Sequence, residues 1–265
     1  MSLSPKGEQV LRDIFAIGSD RALGLSKRLR FPTPGSNELF EFCELLASTP
    51  KEEALQTYLE RNPGYLTGLL GGPDNADLAI LFKPFVGTRF RADFCVLQSH
   101  QGGSVVNIIE IESSHDSLFT RAGRPSSRLS SALTQLEDWK IAIERDRRYH
   151  ASELVRMAVS CPMLGEQVED SRGIRLAEGE RIRSIWDAFG GSDDPFFTYT
   201  VIQGRWSGLS PEEKARVIGR NRTGYPKIHT FEQLARNANF RLERDDWHND
   251  LDRWEVEDFK AEDRT

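Results

Sequence analysis

The spacing of apolar residues changes period several times along this chain, and each change predicts an element. From Asn37 to Ala47 and from Thr49 to Asn62, apolar residues return every three or four positions, as on one face of a helix. The second segment also predicts its own start, with Thr49 as N-cap, Pro50 at the first helical position and Glu52 as capping-box partner. The pattern then turns strand-like. Arg89–Leu97 and Val105–Glu112 read as two strands of a hairpin joined by the polar turn Ser99–Gly103. A helical stripe follows within Ser127–Asp146, through Leu129, Ala132, Leu133, Leu136, Trp139 and Ile143. Leu154–Ser160 and Phe196–Gln203, rich in residues that suit a pleated surface, predict two more strands. Ser210-Pro211-Glu212-Glu213 and Thr230-Phe231-Glu232-Gln233 are capping boxes that open short helices.

Helices, hairpin, helix and then alternating strand and helix make an α/β pattern with a mixed β-sheet core flanked by helices. Residues 1–37 read as an N-terminal extension, with a helical pattern near Val10–Ile17, a basic stretch (Lys27, Arg28, Arg30) and the breaker run Phe31–Ser36 as linker. Residues 38–240 form the principal domain and 241–265 an acidic tail. In that tail Trp247, Leu251, Trp254 and Phe259 stand among many acids, so it either docks as an amphipathic helix or stays mobile. Gly165–Gly191 is polar and predicts no element, and no solenoid-length repeat is present.

With 38% hydrophobic and 29% charged residues, the composition fits a soluble globular protein. No apolar run reaches the ~18 residues of a membrane span, and the first thirty residues lack a compact apolar signal core, so a cytoplasmic protein without a membrane partner is expected. Cys43, Cys95 and Cys161 are odd in number, far apart and without metal-ligand spacing, which predicts small buried residues rather than disulfides or zinc ligands. Taken alone, the net charge of −6 opposes a nucleic-acid partner. Arg241–Thr265, however, holds ten acidic and five basic residues, so −5 sits in the tail and residues 1–240 carry only −1. That tail could compete with DNA for basic surface. Gly71-Gly72-Pro73 does not continue into a phosphate-binding loop, so no NTPase is expected.

Candidate chemistry lies at the end of the second hairpin strand. Val105–Glu112 is apolar on both faces, and side chains alternate along a strand, so Glu110 and Glu112 share a face about 6.8 Å apart. Two like charges at the end of a buried strand cost several kcal/mol, roughly, unless something compensates. A bound cation would do so, and Asp93 on the neighbouring strand can lie beside Glu110. Such hard oxygen ligands suit Mg²⁺ or Mn²⁺, the ions that activate water and polarise a phosphodiester. The alternative is that the two glutamates mark a solvated strand end while Asp93 caps a turn.

Asp93, then Ile109-Glu110-Ile111-Glu112, then Gln135-Leu136-Glu137-Asp138-Trp139 resemble the D, E-x-K and Q-x-x-x-Y elements of the PD-(D/E)XK nuclease superfamily. The closer resemblance is to the Shedu nuclease domain. It takes in Glu53–Leu59 before Asn62-Pro63, Ser127–Trp139, Thr200–Arg205 and His229–Leu234, and covers roughly residues 38 to 240. It implies a restriction-endonuclease-like fold and a metal-dependent DNA endonuclease acting in antiphage defence. It further implies Asp93 and Glu110 as metal ligands, with the Ile111 carbonyl as a further ligand, and Gln135 as a steadying residue on the following helix. Glu53 would add an acidic contact from the early helix, with its neighbour Glu52 as the other choice. Glu112 departs from the pattern, because lysine is usual there. It could hold a second metal or activate water in place of the lysine, or it could mark a protein that keeps the fold and has lost catalysis.

His115 could contact a phosphate or donate a proton, or it could be surface decoration. Arg121, Arg124 and Arg128 could position a DNA backbone or form an ordinary solvated run. Trp139, one turn beyond Gln135, reads as core, and a phosphate contact from Arg205 is the weaker of its two readings beside a turn. Besides the nuclease, two alternatives stay open: an inactive nucleic-acid-binding module, and a structural assembly partner using the tail aromatics in a homo-oligomer.

Overall fold

The computed structural model describes residues 4–7, 34–67, 69, 76–87, 90–100, 103–160, 189, 195–224 and 226–239. The helical pattern near Val10–Ile17, the basic stretch at Lys27–Arg30, Cys161 and the acidic tail lie outside these residues.

Two helices come first, α1 (Ser36–Ala47) and α2 (Glu52–Arg61). The strands β1 (Ala76–Phe82), β2 (Phe85–Val86), β3 (Phe90–Arg91), β4 (Phe94–His100) and β5 (Gly103–Ile111) follow. Helices α3 (Ser127–Glu144) and α4 (Arg147–Ser160) separate these from β6 (Phe196–Ile202). Helix α5 (Pro211–Thr223), β7 (Lys227–His229) and a final helix α6 over residues 231–239 complete the described chain. Five strands form one mixed sheet in the order β1-β4-β5-β6-β7. β4 pairs antiparallel with β1 and β5, whereas β6 is parallel to β5 and β7. A parallel neighbour cannot be reached by a tight turn, and the long return from β5 to β6 carries α3 and α4.

Both faces of the sheet are covered, as the continuous apolar run of β5 predicts. Val106 and Ile108 of β5 join one core with Leu129, Leu133, Leu136 and Trp139 of α3. Ile109 and Ile111 join a second core with Phe42, Leu55, Leu59, Phe231 and Leu234. Cys43 and Cys95 are buried free thiols, as expected, and Trp139 is core, its ring 5.7 Å from that of Phe90. Between β5 and β6 the buried Asn107 carboxamide oxygen accepts from the hydroxyls of Thr198 and Thr200, so a polar residue inside the sheet is satisfied.

Three expectations need correction, and one strand had no counterpart among them. Leu154–Ser160 is not a strand but the end of α4, whose buried residues Ala151, Leu154, Val155 and Ala158 follow a helical spacing visible only when the window begins earlier. Strand β1 was not foreseen, because its apolar core, Leu78–Phe82, is too short for periodicity to separate strand from helix. The strand expected over Arg89–Leu97 is divided: Phe90–Arg91 pairs with Phe85–Val86 in a separate ribbon, and only the part from Phe94 enters the main sheet. Thr49 closes α1 instead of capping α2, with its N–H on the Leu46 carbonyl, its hydroxyl on the Ser48 carbonyl and φ at 52°. Lys51 then precedes α2 without a side-chain cap. The box at Ser210 and Glu213 forms reciprocally as expected, and at Thr230 both backbone N–H bonds exchanged with Gln233 are present.

Candidate functional site

The break between β3 and β4 sets the position of Asp93. Lys83 N–H donates to the Asp93 carbonyl (2.8 Å) and Ala92 N–H to the Pro84 carbonyl (3.2 Å), so the backbone turns against the β1–β2 connection before β4 begins. Lys83 itself has φ of 45°, an uncommon conformation for a residue with a side chain. In the next strand pair Phe94 stands opposite Ile109, and one further step of that register sets Asp93 beside Glu110.

Each carboxylate is held by neutral donors. Asp93 Oδ2 accepts from Ile111 N–H and Oδ1 from Gln56 Nε2, both at 2.8 Å. Glu110 Oε1 accepts from Gln135 Nε2 at 2.8 Å, whereas Oε2 is buried and has no hydrogen-bond partner among the described residues. Burial, opposed by the Ile111 N–H, pushes the Asp93 carboxyl up to about 6. Burial and then the charge of Asp93 push Glu110 up to about 9, against the Gln135 contact. Glu112 is also raised, by burial first and then by Glu52, with Arg128 opposing.

Cations border this acidic group. Arg128 Nε lies 2.8 Å from Asp116 Oδ2, and its Nη1 lies 3.7 Å from Glu112 Oε2. The second pair is loose, and Arg128 is more than half exposed, so water screens it and its net effect is under about 1 kcal/mol. Lys83 lowers the proton affinity of both Asp93 and Glu52.

The other predicted residues are placed differently. Glu52, not Glu53, turns toward the site: its carboxylate accepts from Gln56 Nε2 at 3.2 Å and acts electrostatically on Asp93, Glu110 and Glu112. Glu53 is exposed and contributes its backbone carbonyl to the Thr57 hydroxyl. His115 is exposed, with Nδ1 3.0 Å from the Ser113 hydroxyl. Arg121 and Arg124 are exposed on a loop closed by the Phe119–Pro125 bridge and by the Thr120 N–H to Arg124 carbonyl bond. Arg216 braces this loop from α5 by donating to the Gly123 carbonyl. Gly123, at φ 71°, leaves room for that guanidinium, which an added Cβ would strike. Arg205 is committed to the fully buried Glu232 at 2.8 Å, which disfavours a phosphate contact from it. Gln56 and Lys83 were missed. Gln56 left one faint signal, a polar residue among the buried Leu55 and Leu59 one turn from Glu52.

Among the described residues no three His, Cys, Asp or Glu side chains form a ready cage for an ion. Asp93 and Glu110 nonetheless suit a hard cation chemically: they offer only oxygen, repel each other and include an unpartnered oxygen. Metal-free protein should therefore lose stability with rising pH. Both groups have folded values above their ordinary 3.8 and 4.5, so the favourable protonated state is complete below about 4 and is lost as pH rises through about 6 for Asp93 and about 9 for Glu110. Thermal melts in chelator should show a lower midpoint at pH 9 than at pH 6, and Glu110→Gln should shrink that difference. An unchanged difference would show that Glu110 ionises freely.

Residues 49–235 match the family model described as Shedu protein SduA, C-terminal, a span that contains Gln56, Asp93, Glu110 and Gln135. No curated protein matches the chain.

Proposed function

We propose that this chain, which belongs to the Shedu SduA C-terminal family, is a divalent-metal-dependent DNA nuclease of the PD-(D/E)XK type that acts in defence against phage. The five-stranded mixed sheet flanked by helices supports a restriction-endonuclease-like core. The observation that carries the reading is the Asp93–Glu110 pair at the end of β5, held by Gln56, the Ile111 N–H and Gln135, with one glutamate oxygen buried and unpartnered.

Asp93 and Glu110 would hold Mg²⁺ or Mn²⁺, with the Ile111 carbonyl as a further donor, and the ion would supply Lewis acidity and an activated water. Gln56 and the Ile111 N–H fix Asp93, and Gln135 fixes one oxygen of Glu110 while leaving the other free. Glu112 would take a proton from the attacking water, and Arg128, with Nη1 3.7 Å from that carboxylate, would supply the positive charge that a glutamate in the usual lysine position lacks. The test is incubation of circular and linear DNA with Mg²⁺, Mn²⁺ or excess chelator. Cutting or nicking with metal only is expected; cutting in chelator, or none with either metal, overturns the reading.

A second reading has an observation behind it, namely that the Glu112 carboxylate lies against Arg128 as a plain ion pair would. On that reading the protein binds nucleic acid without cutting it. Glu112→Gln separates the two. A proton-accepting Glu112 predicts at least about a tenfold fall in cleavage, roughly 1.4 kcal/mol, with DNA affinity unchanged. A rate within about twofold of the wild type would return Glu112 to structure.

The braced loop serves as the backbone contact. Replacing Arg121 and Arg124 together by alanine should weaken DNA binding for all sequences alike. It should also flatten the plot of log affinity against log salt by about two, close to one unit for each lost phosphate contact. An unchanged slope removes both arginines from the interface.

A further inference from the structure

Beside the carboxylates a groove of about 650 Å³ runs between β3 and α3. Phe90 and Arg91 form one wall, and Ser130, Ser131, Thr134 and Asp138 line the other. Gln135 also lines it, and the amide of that side chain donates to Glu110 Oε1, so one side chain links the groove to the acidic pair. Phe90 is only partly buried, and Trp139 backs it at 5.7 Å between ring centroids. Arg91 is exposed, and its Nε is tied to the Lys83 carbonyl at 3.2 Å, which holds the guanidinium at the wall.

We infer that this groove binds an unpaired stretch of nucleic acid next to the phosphate to be cleaved, a specificity that rests on the nuclease reading above. About one or two nucleotides fill a space of this volume. The wall chemistry matches a single strand. Phe90 presents a ring on which any base can stack, Arg91 supplies charge for a phosphate, and the three hydroxyls donate or accept along the strand. Asp138, an acceptor only, suits the amino groups on a base edge. Strand separation at the groove would bring the adjacent phosphate to Asp93 and Glu110 while the remaining duplex stays outside.

Binding in chelator tests this without cleavage. Fluorescence anisotropy would compare a single-stranded oligonucleotide, a blunt duplex of the same sequence and that duplex with a single-stranded overhang. Wild-type protein should prefer the overhang to the blunt end. Thr134→Trp, a bulky change at an exposed helix position, and Arg91→Ala should each weaken single-strand binding about fivefold or more, and leave the blunt duplex within about twofold. Circular dichroism of each variant checks folding. Equal wild-type affinity for blunt and overhanging duplex overturns the inference. So does an unchanged single-strand affinity in the folded variants, or an equal loss for both substrates. Failure of the nuclease reading looks different: the overhang preference and its loss on blocking the groove would persist with no cleavage under any metal.

Discussion

Glu110→Gln should abolish metal-dependent DNA cleavage while making the metal-free protein more heat-resistant. The wild-type carboxylate is desolvated, repelled by Asp93 and left with one buried oxygen unpartnered among the described residues, so its charge is unfavourable in the metal-free protein. Glutamine keeps the shape and an oxygen for the Gln135 amide but removes the charge. The melting midpoint at pH 8 in chelator should rise by about 2 °C or more, at roughly 2–4 °C per kcal/mol for a domain of this size. Cleavage should fall by about a thousandfold or more, equivalent to ~4 kcal/mol of transition-state stabilisation. Asp93→Asn should lose as much activity, and its carboxamide can still accept from the Ile111 N–H. Opposite signs for stability and rate are the expected mark of a site strained for its task. Undiminished cleavage by either folded variant would remove the proposed centre.

Glu232→Ala should cause the largest loss of stability. The carboxylate is fully buried and accepts from Arg205 Nε at 2.8 Å and from both the N–H and the hydroxyl of Ser207 at 2.7 Å. Removing it takes a buried charged partner from Arg205 and the acceptor from the Ser207 N–H. Losing one partner of a buried pair costs about 3–5 kcal/mol, and the lower end applies here because Arg205 is 27% exposed and regains some water. A fall of about 3 kcal/mol in denaturant unfolding is expected, with partial retention in Glu232→Gln. A loss under about 1 kcal/mol would mean that water already screens the pair.

Much of this arrangement was legible as local pattern. The two-sided apolar run in Val105–Glu112 showed that the strand is buried, and its alternation singled out Glu110, although the strand itself ends at Ile111, one residue before Glu112. What pattern could not reach were contacts between distant segments. Gln56 meets Asp93 across 37 positions, and nothing in a ten-residue helix states which of its polar residues turns inward. The choice between Glu52 and Glu53 stays open in the sequence for the same reason, since it depends on which face of α2 packs on the sheet end. Lys83 is placed by backbone bonds to a residue two strands later, information that no window contains. Leu154–Ser160 shows the reverse error, a short apolar window read without the preceding turn that makes it helical.

The hydrogen bonds that hold the acidic pair join four separate elements: α2, the β3–β4 break, β5 and α3. A ribosome releases those segments in sequence, and α3 emerges last of the four. Until it docks, Glu110 lacks the Gln135 amide. Until β6 follows across the long return, β5 lacks its parallel neighbour. An unfinished or locally unfolded chain therefore presents scattered carboxylates rather than a joined pair. Any activity that depends on the pair is withheld from nascent and damaged copies by the order of assembly itself, without an inhibitor.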